Sequence, residues 1–209
     1  MKVSKKIAII LLGRPGSGKD TQAELLAKKF GLIHIISSKI IEKVLETREK
    51  TVNLDGKVYN LNRERLAQRS GRLNNFNFVS SLIKKEIKKI AARNKGLIMS
   101  ASPRSLIELK EEWPLLNKLY GPKNVFFIQI QISPKEIYIR NLKRHRKDLP
   151  ELDTRKIIKK RLLVFNKYTL SVIKFLKKQK KIIDINGEQS IMKIHLDILW
   201  QLQSKLKKK

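Results

Sequence analysis

Glycines at 13, 16 and 18 followed by Lys19 are suited to one kind of chemistry, the holding of a polyphosphate. Glycine opens backbone angles closed to other residues, so successive N–H groups can turn inward around an anion, and a lysine adds a full positive charge. The run Gly13-Arg14-Pro15-Gly16-Ser17-Gly18-Lys19-Asp20-Thr21 sits directly behind the apolar residues 7–12 and ahead of the helix-like stretch 22–27. A buried strand entering such a loop and a helix leaving it aim the partial positive charge of the helix N-terminus at the same anion. Gly13, Pro15, Gly16, Ser17, Gly18, Lys19, Asp20 and Thr21 are therefore the candidate residues of a nucleotide phosphate site.

The elements that must carry this loop follow from the apolar pattern. Continuous apolar runs bounded by turn signals recur at 7–12, 32–36, 97–99, 125–132 and 182–185, and they do not alternate. Runs of that kind are strands covered on both faces, hence a parallel sheet with helices on either side. Helical periodicity falls near 21–29, 39–48, 78–92, 105–119, 134–146, 154–178 and 190–206. The expectation is an α/β fold with a doubly wound five-stranded parallel sheet, whose ligands gather at the C-terminal ends of the strands. One stretch departs from this order: residues 51–61 alternate around Asp55-Gly56, the signature of a small β-hairpin.

Composition sets the outer limits. A chain of 209 residues with 41% hydrophobic content suits a single domain spanning 1–209. With no cysteine and three histidines, disulfides are excluded and a zinc centre is disfavoured. No apolar run approaches the roughly 20 residues of a membrane span, and Lys5-Lys6 lead into a strand rather than a signal peptide, so the expectation is a cytoplasmic protein without a membrane partner. Lys+Arg 48 against Asp+Glu 18 gives a net charge of +30. Many lysines fall in short pairs on the expected outer faces of helices, which reads as a solvated surface, and the same charge suits non-specific contact with nucleic acid or another polyanion. Aromatic content of 6% argues against a base-stacking platform.

With these elements in order, the chain resembles the adenylate kinase and nucleoside monophosphate kinase family over nearly its whole length. Gly18-Lys19-Asp20-Thr21-Gln22-Ala23 is similar to the family's G-K-G-T-Q-A, and Ile36-Ser37-Ser38 stands where the family has I-S-T-G-D. Gly71-Arg72-Leu73 fits its G-x-L, and Ser102-Pro103-Arg104-Ser105 the end of D-G-F-P-R-T. Arg140 and Arg144 reproduce R-x-x-x-R, and Arg161-Leu162 with Phe165 and Thr169 follows R-L-x-x-Y-x-x-x-T. The resemblance implies a P-loop kinase fold with a core of 1–37, 74–140 and 156–209, an acceptor-binding insertion at 38–73 that carries the hairpin, and a short lid at 141–155. It also implies ATP and a nucleoside monophosphate as substrates, Mg2+ as the metal, and a monomer.

Phosphoryl transfer between two nucleotides needs two polyanions brought in line, their charge neutralised and water kept away. Arginine suits that work, being planar, permanently charged and able to grip phosphate oxygens in pairs. Arg140 and Arg144 are one helical turn apart and share a face. By resemblance, Arg140 lies near the donor base and Arg144 on the donor phosphates. Arg104 holds the acceptor phosphate, while Arg146 or Arg155, with Arg161, closes from the lid side. Lys19, Arg104, Arg144 and Arg161 are the expected catalytic residues, and Ser38, Lys43 and Glu108 fall at further acceptor-site positions.

Departures from the family pattern carry their own expectations. Ser100 replaces its acidic residue, while Asp20 follows Lys19 directly. Asp20 either takes over a water-mediated contact to Mg2+ or stabilises the first helical turn electrostatically. Lys43 replaces an arginine and loses the bidentate grip. Glu108 replaces the base-reading glutamine; an ionised Glu accepts from an amino group or a guanine N1–H and cannot donate to adenine N1, so the acceptor base is expected not to be adenine. Beside the kinase stand two alternatives: a catalytically degenerate nucleotide-binding protein with a basic, RNA-associated surface, and a kinase of another small acceptor such as a sugar acid.

Overall fold

A computed structural model describes residues 6–70, 72–143 and 154–207. The chain runs β1 (Ala8–Leu12), α1 (Lys19–Phe30), β2 (Ile33–Ile36), α2 (Ser37–Leu45), β3 (Thr51–Leu54), β4 (Lys57–Asn60), α3 (Leu61–Arg69) and α4 (Phe76–Ala92). It continues with β5 (Leu97–Ser100), α5 (Leu106–Tyr120), β6 (Val125–Gln131), α6 (Pro134–Lys143), α7 (Arg155–Val164), α8 (Leu170–Lys178), β7 (Ile182–Asn186) and α9 (Ile191–Lys207). The five long strands pair in parallel in the order β2-β5-β1-β6-β7, with β1 at the centre between β5 and β6. This is the expected doubly wound sheet.

The unbroken apolar runs are explained by burial on both faces. Ala8, Ile10 and Leu12 pack towards α4, α5 and α8, while Ile7, Ile9 and Leu11 face α1 and α9. Each such Ile or Leu side chain contributes about 1.5–3 kcal/mol by leaving water. The strand order reverses at β1, which opens a crevice at its C-terminal end where the glycine loop emerges.

The hairpin forms as the Asp-Gly signal predicts. Asp55 and Gly56 have φ of 51° and 80°, the pair of positive angles of a two-residue turn whose twist matches the strands, and Leu54 pairs with Lys57 across it. Helix α3, by contrast, has no counterpart among the sequence expectations. Asn60 starts it, its side chain accepting from Arg63 N at 3.0 Å. Buried Glu64 then ties α3 to the returning chain, accepting from Asn74 Nδ2 and Asn75 N, each at 3.0 Å. That tie fixes Arg72, Leu73 and Asn74 against the crevice.

The expected single helix over 154–178 is interrupted. Between α7 and α8, Phe165–Thr169 form one π-helical turn, a local widening that re-aims side chains and often marks a site. Phe165 and Thr169 turn inward there, and Thr169 Oγ1 donates to Arg104 O at 3.1 Å. Most of the expected lid, together with Arg144 and Arg146, lies outside the described residues.

Candidate functional site

The glycine loop is held open by its own backbone and by α6. Gly13 and Gly16 have φ of 149° and 81°, and a Cβ on Gly13 would stand 2.5 Å from Ile130 O. Ser17 N donates to Arg14 O at 3.1 Å, and Lys19 Nζ donates to the same oxygen at 3.0 Å and to Ser17 Oγ at 3.4 Å. Lys19 therefore arches back over the loop, its ammonium resting on Arg14 O and Ser17 Oγ. Arg14 Nη1 donates to Ile132 O at 2.9 Å, pinning the loop to the end of β6. From α6, fully buried Asn141 donates through Nδ2 to Pro15 O at 3.3 Å and to Ile137 O at 2.7 Å. Asn141 was not anticipated: one Asn between two arginines carries no signal until the helix is docked on the loop.

At the neighbouring strand end, the turn after β5 aims Arg104. Ala101 takes φ of 78°, the Ser102-Pro103 peptide is cis, and Arg104 Nε donates back to Ala101 O at 2.8 Å. Burial lowers the Arg104 pKa, against the raising influence of Glu108 and Asp20, and arginine keeps its charge regardless. Glu108, on the first turn of α5, accepts from Arg104 N at 2.6 Å; burial pushes its pKa up, opposed by that bond and by the Arg104 charge. Ser100 sits at the end of β5 with its Oγ 2.8 Å from His34 Nε2, so a neutral pair fills the place of the family's carboxylate. Burial pulls the His34 pKa down, which favours the neutral ring.

These parts face a common cavity of about 380 Å³. Gly13, Pro15 and Lys19 line it from the loop, Arg104 and Glu108 from the β5 exit, Ser38 from α2, and Arg161 from α7. Of the other expected residues, Gly16, Ser17, Gly18 and Thr21 shape the loop or begin α1 away from the cavity wall. Asp20 is exposed on the first turn of α1, its charge felt by both His34 and Arg104. Arg140 lies on α6 outside the cavity, its Nε donating to Glu136 Oε1 at 2.6 Å. Lys43 is exposed on α2 and Arg155 exposed at the start of α7, neither reaching the cavity wall. Sequence reasoning passed over Ser37, Gln68, Arg72, Asn74 and Lys160, which line the wall. Ser37 and Arg72 stood inside recognised motifs and could have been found from them; Gln68 on α3, Asn74 beyond it and Lys160 on α7 reach the wall only once those elements dock.

The arrangement suits ligation by phosphate rather than by protein alone. Among the described residues no group of three or more His, Asp or Glu could hold a metal ion. A magnesium ion commonly enters on substrate phosphates with one or two carboxylates nearby, and Asp20 beside the loop fits that pattern. No helix among the described residues is long and apolar enough to cross a membrane.

A family model described as adenylate kinase matches residues 11–181. The adenylate kinase of Buchnera aphidicola subsp. Cinara cedri (strain Cc) is 28% identical, over 94% of this chain and 97% of its own length. The adenylate kinases of Prochlorococcus marinus strains MIT 9211 and MIT 9301 are 27% and 29% identical, over 92% and 91% of this chain and 95% of each relative. The match takes in the glycine loop, the Arg104 turn and the helix that carries Arg161, so the chain belongs to the adenylate kinase family of nucleotide phosphotransferases.

Proposed function

We propose that this chain transfers the γ-phosphoryl group of Mg-ATP to a nucleoside monophosphate, giving ADP and a nucleoside diphosphate. The observation that carries the reading is the convergence of Lys19, Arg104 and Arg161, from three separate elements, on one cavity of about 380 Å³. Lys19 and the loop N–H groups hold the donor phosphates, with Arg140 and Arg144 on the donor side. Arg104 holds the acceptor phosphate, Ser38 and Glu108 flank the acceptor, and Arg161 spans the two. Of the remaining acceptor candidates, Arg146 and Arg155 belong to the lid side, and Lys43, exposed on α2, supplies charge at longer range.

In the transfer an oxygen of the acceptor phosphate forms a bond to Pγ, the bond from Pγ to the β–γ bridging oxygen breaks, and the electron pair leaves with ADP. Bound Mg2+ supplies charge neutralisation across the donor phosphates, with Asp20 as the nearby carboxylate. The arginines and Lys19 do the rest: they draw the two polyanions into line, offset the charge spread over the equatorial oxygens and exclude water. The segment 38–73 acts as the acceptor arm and 141–155 as a short lid.

For the acceptor base, the relatives' name points to adenylate, whereas Glu108 presents an acceptor where a donor is needed for adenine N1. We propose that Glu108 favours a base offering a donor edge, such as guanine N1–H. Transfer rates from Mg-ATP to AMP, GMP, CMP, UMP and the deoxynucleotides test both parts. No transfer to any of them contradicts the kinase reading, and AMP preferred by a wide margin contradicts the role of Glu108.

A further inference from the structure

Behind Glu108 lies a second carboxyl that the proposed transfer does not use. Glu112 follows one helical turn later on α5 and is fully buried, as Glu108 and Ser102 nearly are. Ser102 Oγ stands 3.1 and 3.2 Å from the two oxygens of Glu112 and 3.4 Å from Glu108 Oε2. A hydroxyl has one hydrogen, so it can donate to one carboxyl only. Two ionised carboxylates around that single hydrogen, out of water, would set two like charges together with only the Arg104 guanidinium close by to offset them. One proton must therefore reside on the pair.

The surroundings decide where it resides. Glu108 has the Arg104 N–H at 2.6 Å and the Arg104 guanidinium nearby, both of which favour its ionised form. Glu112 has Ser102 as its hydrogen-bonding partner and lies deeper. From α4, Lys84 acts on Glu112, but its ammonium is already held by Glu111 at 2.7 Å. The side chains that α8 and β6 set against this part of α5 are Phe175 and Phe127, which meet Trp113 edge-on and do not titrate. Asp20, from α1, acts on Arg104.

We infer that Glu112 is a positioning residue: as a neutral acid it donates to Ser102 Oγ, and Ser102 donates to Glu108 Oε2, fixing Glu108 as a single carboxylate towards the acceptor. Burial raises the pKa of both carboxyls, that of Glu112 further, in keeping with this order. The inference rests on the acceptor-site reading of Glu108 for its consequence, but not for its chemistry. If the chain transfers no phosphate, the shared proton still stands or falls by spectroscopy.

The test is infrared difference spectroscopy of the full chain near pH 7, on the wild type and on Glu112→Gln, Glu108→Gln and Ser102→Ala. The expected result is a protonated-carboxyl C=O band in the wild type that disappears in Glu112→Gln, persists in Glu108→Gln and shifts in Ser102→Ala, where its partner is lost. Absence of the band in the wild type, or its loss in Glu108→Gln and persistence in Glu112→Gln, overturns the inference. In the transfer assay, Glu112→Gln is expected to keep the acceptor ranking within about twofold and to remove the alkaline rise in acceptor KM that ionisation of Glu112 causes in the wild type. Ser102→Ala is expected to raise acceptor KM with kcat little changed. Identical pH profiles for the wild type and Glu112→Gln overturn it equally.

Discussion

Gly16→Ala tests how the phosphate loop is held, because two costs of different origin meet at that residue. Gly16 has φ of 81°, a conformation that costs an alanine about 1–2 kcal/mol. A Cβ there would also stand 2.3 Å from Asn141 Nδ2, so the amide must leave and give up its bonds to Pro15 O and Ile137 O, worth about 1 kcal/mol each. The single variant should therefore lose about 3–4 kcal/mol, or roughly 10 °C in Tm for a chain of this length. Asn141→Ala alone loses the same two bonds but also removes the buried Oδ1, which finds no partner among the described residues, for a net loss of about 1–2 kcal/mol. In the double variant only the strain of φ is added to that loss. The double-mutant cycle should thus show about 2 kcal/mol less destabilisation than the sum of the singles. Urea unfolding of the four proteins measures the cycle, and a fluorescent ATP analogue reads whether Gly16→Ala loses nucleotide binding. Additivity within about 0.5 kcal/mol would refute the claim that Asn141 holds the loop.

Three further outcomes follow from the site. Glu108→Gln restores a donor and should move acceptor preference towards AMP by about tenfold, read as the ratio of kcat/KM values across the nucleotide panel. Asp20→Asn should raise the magnesium needed for half-saturation about fivefold, the equivalent of about 1 kcal/mol for one nearby exposed charge, followed both by activity and by a metal titration of bound fluorescent nucleotide; an unchanged titration leaves Asp20 as a helix-terminus charge only. His34 has a pKa held below its usual 6.5 by burial, partly offset by Asp20 and Glu24, so the unfolded chain takes up that proton first. Its stabilising contribution is full above about pH 6.5 and lost as the pH falls through the folded pKa; His34→Asn should flatten that part of the acid slope in thermal melts between pH 5 and 8, to which His195, shifted the same way, adds, while the raised carboxyls Glu108 and Glu112 act in the opposite sense.

What was legible in the sequence was whatever one element decides alone. The inner strands β1, β5 and β6 announced themselves because residues buried on both faces need no polar alternation, the edge strands β2 and β7 by their isoleucines, and the hairpin because Asp55-Gly56 meets the demand for positive φ at both turn positions. The glycine loop and Arg104 were legible for the same reason, each being set by its immediate neighbours. Helix α3 was not, since its exposed, charged face gives little periodicity and its hold on the fold comes from Glu64 reaching Asn74 and Asn75. The π turn at 165–169 leaves no mark in local propensity, yet it turns Phe165 and Thr169 inward. Asn141, Ser102 and Glu112 were hidden because their roles exist only where separate parts of the chain meet in a dry space.

The central claim is transfer, and the most direct measurement is ADP release from Mg-ATP against a panel of nucleoside and deoxynucleoside monophosphates, with Lys19→Ala alongside. The account predicts transfer to at least one nucleoside monophosphate, abolished by Lys19→Ala. No transfer to any acceptor by an intact protein that still binds ATP would contradict it, and would leave a nucleotide-binding member of the family whose basic surface does the work instead.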